Sequence, residues 1–237
     1  MTSLDKLSSL SVFMPAYNEE ANISNVVLEA CEAAKKIAVD YEVIVVNDGS
    51  KDDTGKIVTD LAKKNHHIKL VNHIVNKGYG GAVKSGLDAC SKEYIFFTDS
   101  DGQFHFDELG RFVKLLSRAD LVMGYRRKRM DPFHRVFLAQ VLLKIWNYVL
   151  FGLTVKDVDC AYKLFPRKVS DNIKLETESA ITVTEFIVKA WRLGFVIHQA
   201  PVTHYARKFG EQTGGNWRVI LRAATDSFHL YKQLQKI

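Results

Sequence analysis

The feature that most constrains this chain is a regular alternation of apolar runs and amphipathic stretches up to about residue 125, with each apolar run ending in a polar or glycine-bearing cluster. Residues 11–16, 41–46, 68–74, 94–98 and 121–124 read as strands, and 41–46 is the continuous apolar, β-branched kind that is buried on both faces. Between them, residues 19–38, 52–64, 80–90 and 107–117 read as helices. Asn22, Val26, Val27, Ala30, Ala33, Ala34 and Ile37 share one face of the first, Ile57, Val58, Leu61 and Ala62 one face of the second, and Leu109, Phe112, Val113 and Leu116 one face of the last. Strands alternating with helices imply parallel βαβ units, hence an α/β fold with an open, mostly parallel sheet covered on both faces. In such sheets ligands bind outside the carboxyl ends of the strands. Those ends carry Pro15, Tyr17, Asn18 and Glu19; Asn47, Asp48, Gly49 and Ser50; Asn76, Lys77, Gly78, Gly80 and Gly81; Asp99, Ser100, Asp101 and Gln103; and Gly124 with Arg126. All five clusters are expected on one rim.

The second half is less regular. Arg126, Arg127, Lys128 and Arg129 form a basic run, and residues 136–155 are strongly apolar, interrupted by Gln140, Lys144, Asn147, Gly152 and Thr154. Residues 158–165 read as strand, 181–193 as helix, 195–205 as strand and 217–234 as helix. There is no Pro/Gly-rich linker and no internal repeat, so 1–237 is expected to be one domain with a C-terminal helical elaboration. Apolar residues at 47% and charged residues at 25% exclude a disordered chain. Cys31, Cys90 and Cys160 form no CxxC pair, which excludes a zinc ribbon and a disulfide framework and fits a reducing cytosol. The first ten residues hold no apolar run of signal length. A net charge of +6 suits a phosphate-rich ligand, a nucleic acid or an anionic membrane.

Several motifs carry chemistry. Asp99 and Asp101, two apart at a strand end, can point the same way and hold a hard cation such as Mg²⁺ or Mn²⁺ through oxygen, with Gln103 as a neutral ligand; the same residues also suit a solvated turn. Asp48 can accept from a base or a ribose hydroxyl, while Gly49 permits the turn and Ser50 or Asp52 caps the next helix. The glycines at 78, 80 and 81 permit close backbone approach at a helix start or simply a flexible turn; Val83 stands where a dinucleotide fingerprint needs glycine, and Ile57 where a P-loop needs Ser or Thr. No HExxH and no GxSxG occurs, so the eight histidines receive no metal role and a nucleophile-elbow hydrolase has no support. The basic run lacks interleaved aromatics, which argues against nucleic acid as the partner.

PAYNEE from Pro15, VNDGSKDDT through Thr54, NKGYGGA from Asn76 and TDSDGQ from Thr98, in that order, resemble the family 2 inverting glycosyltransferases, and within these the dolichol- and polyprenyl-phosphate sugar transferases. Gly124-Tyr125-Arg126, the run from Asp157 to Phe165, and Arg207 with Gly210 agree, so the likeness spans roughly residues 10–215; Gly102, Ala139 and Gln212 depart from it. The resemblance implies a GT-A fold, with residues 10–125 binding a GDP- or UDP-sugar and 126–237 the acceptor. It implies that Pro15, Tyr17, Glu19, Lys77 and Gly78 line the nucleotide-sugar site and that Asp48 meets the base. Asp99, Asp101 and Gln103 would hold the metal, Arg207 would neutralise the diphosphate, and Arg126 and Arg135 would bind an acceptor phosphate. Asp159 would act as base for a hydroxyl acceptor, such as a saccharide; a chain that binds a nucleotide-sugar without catalysis is the remaining alternative. Residues 136–155, with Trp146 and Tyr148 behind a basic run, are expected either to lie on the cytoplasmic face of a membrane without crossing it or to sit in the core. Nothing in the sequence fixes an oligomeric state.

Overall fold

The structure is a computed structural model that describes residues 6–127, 145–210 and 217–235. Its elements follow in the order β1 (Leu7–Ala16), α1 (Ile23–Ile37), β2 (Ala38–Asp48), α2 (Thr54–Lys64), β3 (Ile68–His73), α3 (Gly78–Ala89), β4 (Tyr94–Phe97), α4 (Leu109–Leu115), β5 (Leu121–Arg126), β6 (Lys163–Pro166), α5 (Arg167–Asp171), α6 (Thr182–Arg192), β7 (Ile197–Val202) and α7 (Trp217–Leu234). Residues 145–151 are also helical. The seven strands form one sheet, ordered β3-β2-β1-β4-β6-β5-β7. β6 runs antiparallel to both its neighbours, and the remaining pairs are parallel.

The alternation of side chains along each strand builds two cores. Val12 and Met14 of β1, Val43 and Val45 of β2 and Phe96 of β4 face α1 and α4, meeting Val27, Ala30, Leu109 and Phe112. Phe13, Ile44, Ile95 and Phe97 face the other way, onto Val83 of α3 and Phe186 and Ile187 of α6. Burial on both faces is why these strands are continuously apolar. Cys31, Cys90 and Cys160 are free thiols, all buried.

Bounds differ from the sequence reading at several points, β1 and β2 among them, which begin at Leu7 and Ala38. The first helix starts at Ile23, because the backbone N–H of Glu19 is held by Thr54 Oγ1 at 2.8 Å and Asn18 takes a φ of 56°. β3 ends at His73, leaving Ile74 96% exposed. Residues 158–162 are not strand: Lys163 Nζ takes the carbonyls of Val158 and Cys160, which turns that backbone away from a ladder. The last strand covers Ile197–Val202, so His204 lies beyond it.

Candidate active site

The carboxyl ends of β1 to β5 emerge on one rim, because these strands all run the same way. The first two turns are stitched together. Asn18 N donates to Ser50 Oγ at 3.0 Å, Lys51 N to Asn18 Oδ1 at 2.8 Å, Glu20 N to Asp52 Oδ2 at 3.1 Å and Asp53 N to Glu20 Oε2 at 3.0 Å. Ser100 Oγ donates to Pro15 O at 2.7 Å, tying the fourth turn to the first. Pro15 and the half-buried Tyr17 thus sit on a fixed ledge.

Asp48 ends β2 beside His73, its register partner at the end of β3. Asp48 Oδ1 accepts from His73 Nδ1 at 2.7 Å and from Lys77 N at 2.8 Å, and Asn76 Nδ2 donates to Asp48 O at 2.8 Å. His73 was given no role by sequence reasoning, since its partner lies 25 residues away. The glycine turn that follows is packed against protein. A Cβ at Gly80 would collide with Thr182 Oγ1 and the backbone of Glu178 and Ser179, while Gly78 takes a φ of +80°. The covering segment is held by Glu185, fully buried, whose carboxylate accepts from Glu176 N and Thr177 N, both at 2.9 Å.

Asp99 and Asp101 follow β4. Tyr79 OH donates to Asp99 Oδ1 at 3.1 Å. Burial first, and the neighbouring Asp101 charge second, push the Asp99 carboxyl well above the ordinary carboxylate range. Gln103 is buried, its Nε2 donating to Tyr205 O at 3.0 Å, so Oε1 is its acceptor end. Arg207 arrives from the segment after β7. Its Nη1 lies 3.6 Å from Asp101 Oδ2, its Nη2 pairs with Glu19 and its Nε donates to Phe209 O at 2.7 Å. Glu19 also accepts from Asn22 Nδ2 at 2.7 Å, and burial raises its pKa. Glu19, Asp101 and Arg207, far apart in sequence, therefore form one network.

A second group adjoins it. Arg126 Nε and Nη2 form a two-pronged pair with Asp157, at 2.7 and 2.8 Å. Asp159 is exposed on the following loop. Lys163 lies beneath, fully enclosed, with its pKa lowered by burial against the pull of Asp157, Asp159 and Asp99. Its Nζ also stands 5.7 Å from the Phe97 ring centre. Sequence reasoning placed Lys163 and Asp157 in a matching run but gave neither a role; the first is an ordinary lysine until burial is known. Arg135 lies outside the described residues.

Among the described residues no three His, Cys, Asp or Glu side chains make a metal-holding group. Mg²⁺ and its like are commonly held by one or two carboxylates plus substrate phosphates rather than by an all-protein cage. Asp99, destabilised by burial and by the neighbouring Asp101 charge, together with Asp101 and the Gln103 amide, fits that donor set.

Known proteins resemble the chain over most of its length. The chain is 28% identical to a dolichyl-phosphate beta-glucosyltransferase of Dictyostelium discoideum over 96% of its own length and 72% of the relative's. It is 26% identical to an undecaprenyl-phosphate 4-deoxy-4-formamido-L-arabinose transferase of Enterobacter sp. (strain 638), over 93% and 67%. Among solved structures, glucosyl-3-phosphoglycerate synthase of Mycobacterium tuberculosis, in complex with Mn²⁺, uridine diphosphate and glucosyl-3-phosphoglycerate, superposes with a TM-score of 0.72 at 21% identity, covering 94% of this chain and 80% of that one. The fold is thus GT-A. The profile described as Glycosyl transferase family 2 matches residues 11–173, most of the chain and all five rim clusters, and on that ground the chain belongs to glycosyl transferase family 2.

Proposed function

We propose that this glycosyltransferase moves a sugar from a nucleotide-sugar donor, GDP- or UDP-linked, to a polyprenyl phosphate of the dolichyl type, with inversion, using Mg²⁺ or Mn²⁺. The observation that carries the reading is the meeting of Asp99, Asp101 and Arg207 on the rim, in a chain whose relatives are named for polyprenyl-phosphate sugar transfer. Residues 10–125 would take the donor and 126–237 the acceptor. Pro15, Tyr17, Glu19, Lys77 and Gly78 border the nucleotide, and Asp48 accepts from the base. Asp99, Asp101 and Gln103 would hold the cation, which when bound screens the charge of the donor diphosphate.

Arg207, braced by Glu19, would bring a planar set of donors to the departing diphosphate, a stabilisation that grows as charge develops there. An acceptor phosphate oxygen forms the new bond at the anomeric carbon on the face opposite the breaking bond to the nucleoside diphosphate. A second phosphate pKa near ~6 means that such an acceptor is largely ionised at neutral pH and needs no protein base. Arg126 and Arg135 are assigned to hold it, and Asp159 would be needed as a base only for a hydroxyl acceptor.

The lipid reading has a surface to go with it. Among the described residues no helix is long and apolar enough to cross a membrane. Ile145, Trp146, Tyr148 and Val149 are nevertheless exposed, whereas Asn147 and Phe151 face inward. Trp191, which would lie 3.6 Å from a Cβ at Gly152, extends this apolar face toward the exposed Leu193 and Val196 and a cavity of about 370 Å³. Exposed Arg127 and Lys156 supply positive charge. We therefore assign this face to peripheral docking on the cytoplasmic leaflet of a membrane. The decisive experiment incubates UDP- or GDP-sugars and Mn²⁺ with dolichyl phosphate in liposomes and follows label into the organic phase. Transfer to lipid, with vesicle binding that needs anionic lipid and weakens with salt, is expected. Transfer only to soluble acceptors, with no vesicle binding, overturns the lipid assignment.

A further inference from the structure

His73 is the only residue whose side chain bonds that of Asp48 among the described residues, and it does so inside the fold: Asp48 is 3% and His73 6% exposed. The two end adjacent parallel strands in direct register, so their side chains leave the sheet on the same face. His73 Nε2 lies 2.9 Å from Ser85 Oγ, one helix further on in α3. A carboxylate only accepts, so Nδ1 carries the proton, and Nε2 faces the Ser85 hydroxyl. The bonded chain links Ser85, His73 and Asp48, with His73 donating to Asp48, and each bond in such a chain polarises the next.

The consequence concerns the other carboxylate oxygen. Both protein donors, His73 Nδ1 and Lys77 N, meet Oδ1, and no hydrogen bond to Oδ2 is made among the described residues. We propose that His73, backed by Ser85, is a positioning residue for donor recognition: it fixes Asp48 Oδ1 so that Oδ2 is presented, already oriented, to a ring N–H of the nucleobase. This rests on the reading that Asp48 meets the base. The partner chemistry is a base with a protonated ring nitrogen on its pairing edge, as in uracil or guanine. Cytosine offers a bare nitrogen there, which faces a carboxylate oxygen without a proton between them. A side chain held in its bound rotamer by neighbours also spares the ligand the ordering cost.

The experiment is calorimetric titration of UDP, GDP, CDP and inorganic pyrophosphate, each with Mn²⁺, into the wild-type chain and the variants Asp48→Asn, His73→Phe, His73→Asn and Ser85→Ala. His73→Phe keeps a ring but loses the donor; it should weaken the preferred one of UDP and GDP about tenfold or more, the scale of a hydrogen bond to a charged group. It should narrow the gap to CDP and leave pyrophosphate, which has no base, unchanged. His73→Asn restores a donor near Nδ1 and should recover most of the loss, and Ser85→Ala should give a smaller loss of the same pattern. If His73→Phe does not fold, Ser85→Ala and His73→Asn still test the pattern. Asp48→Asn without effect on UDP or GDP overturns the base reading itself. Asp48→Asn harmful with Ser85→Ala and the His73 variants harmless overturns the positioning role, as does an equal loss of pyrophosphate affinity, the mark of general damage.

Discussion

Arg207 engages three groups at once: it hydrogen-bonds the Glu19 carboxylate and the carbonyl of Phe209 and forms an ion pair with Asp101 at 3.6 Å. Only a planar guanidinium reaches partners in that arrangement, so Arg207→Lys should lower kcat/KM about 10²- to 10³-fold although the charge is kept; near-normal turnover would reduce Arg207 to a surface charge. Asp101→Asn should abolish metal-dependent donor binding while leaving the unfolding midpoint almost unchanged, which calorimetry and thermal denaturation can read side by side. Asp99 supplies a pH test. Its raised pKa means that the folded chain binds more protons than the unfolded one between an ordinary carboxylate value near ~4 and its own. With chelator present, stability should therefore fall as pH rises through that window, and Asp99→Asn should flatten the slope. Mn²⁺ affinity should run the other way and weaken as pH falls, because protons compete for the same oxygen. At this scale the sequence disclosed what spacing can disclose. Asp99 and Asp101 are two apart at a strand end, and Asp48 stands before a glycine turn. Tyr79, His73, Asp157 and Lys163 stayed hidden because each acts through a contact between segments or through burial, and neither is written in local order.

Turns show the same division at the scale of elements. The helices were legible from periodicity, and α7 matches its expected bounds, but residues 158–162 were read as strand because Val158, Cys160 and Ala161 look like one. A lysine that takes two carbonyls overrides that preference. The glycine turn was open to reading as a ligand cradle; in the fold Gly80 makes room for Ser179 and Thr182. Gly80→Ala should therefore cost about 1–3 kcal/mol by overpacking, measurable by urea denaturation. Glu185 bonds Glu176 N, Thr177 N, Thr177 Oγ1 and Lys189 Nζ. Glu185→Ala should cost about 3–5 kcal/mol, as the loss of a buried charge partner does, and hydrogen exchange at residues 174–178 should speed up.

For the molecule as a whole, nucleotide and cation should act as one ligand. Neither UDP nor Mn²⁺ alone should raise the melting temperature much, whereas the pair at about a hundredfold excess over its dissociation constant adds about 2.7 kcal/mol of stability; an equal rise with nucleotide alone would argue against Asp99 and Asp101 as cation holders. One architectural detail bears on how the chain reaches this state. β1 to β4 are sequence neighbours and can assemble as synthesis proceeds, but β5 touches β4 only through β6, which begins at Lys163, some 40 residues later. A chain emerging from the ribosome must therefore hold β5, with its apolar Leu121, Val122 and Met123, unpaired until β6 slots in. Such a long-range closure is slow relative to local contacts and leaves a sticky edge exposed meanwhile. Truncations ending between 127 and 162 should thus aggregate or recruit chaperones, and those extended past β7 should not.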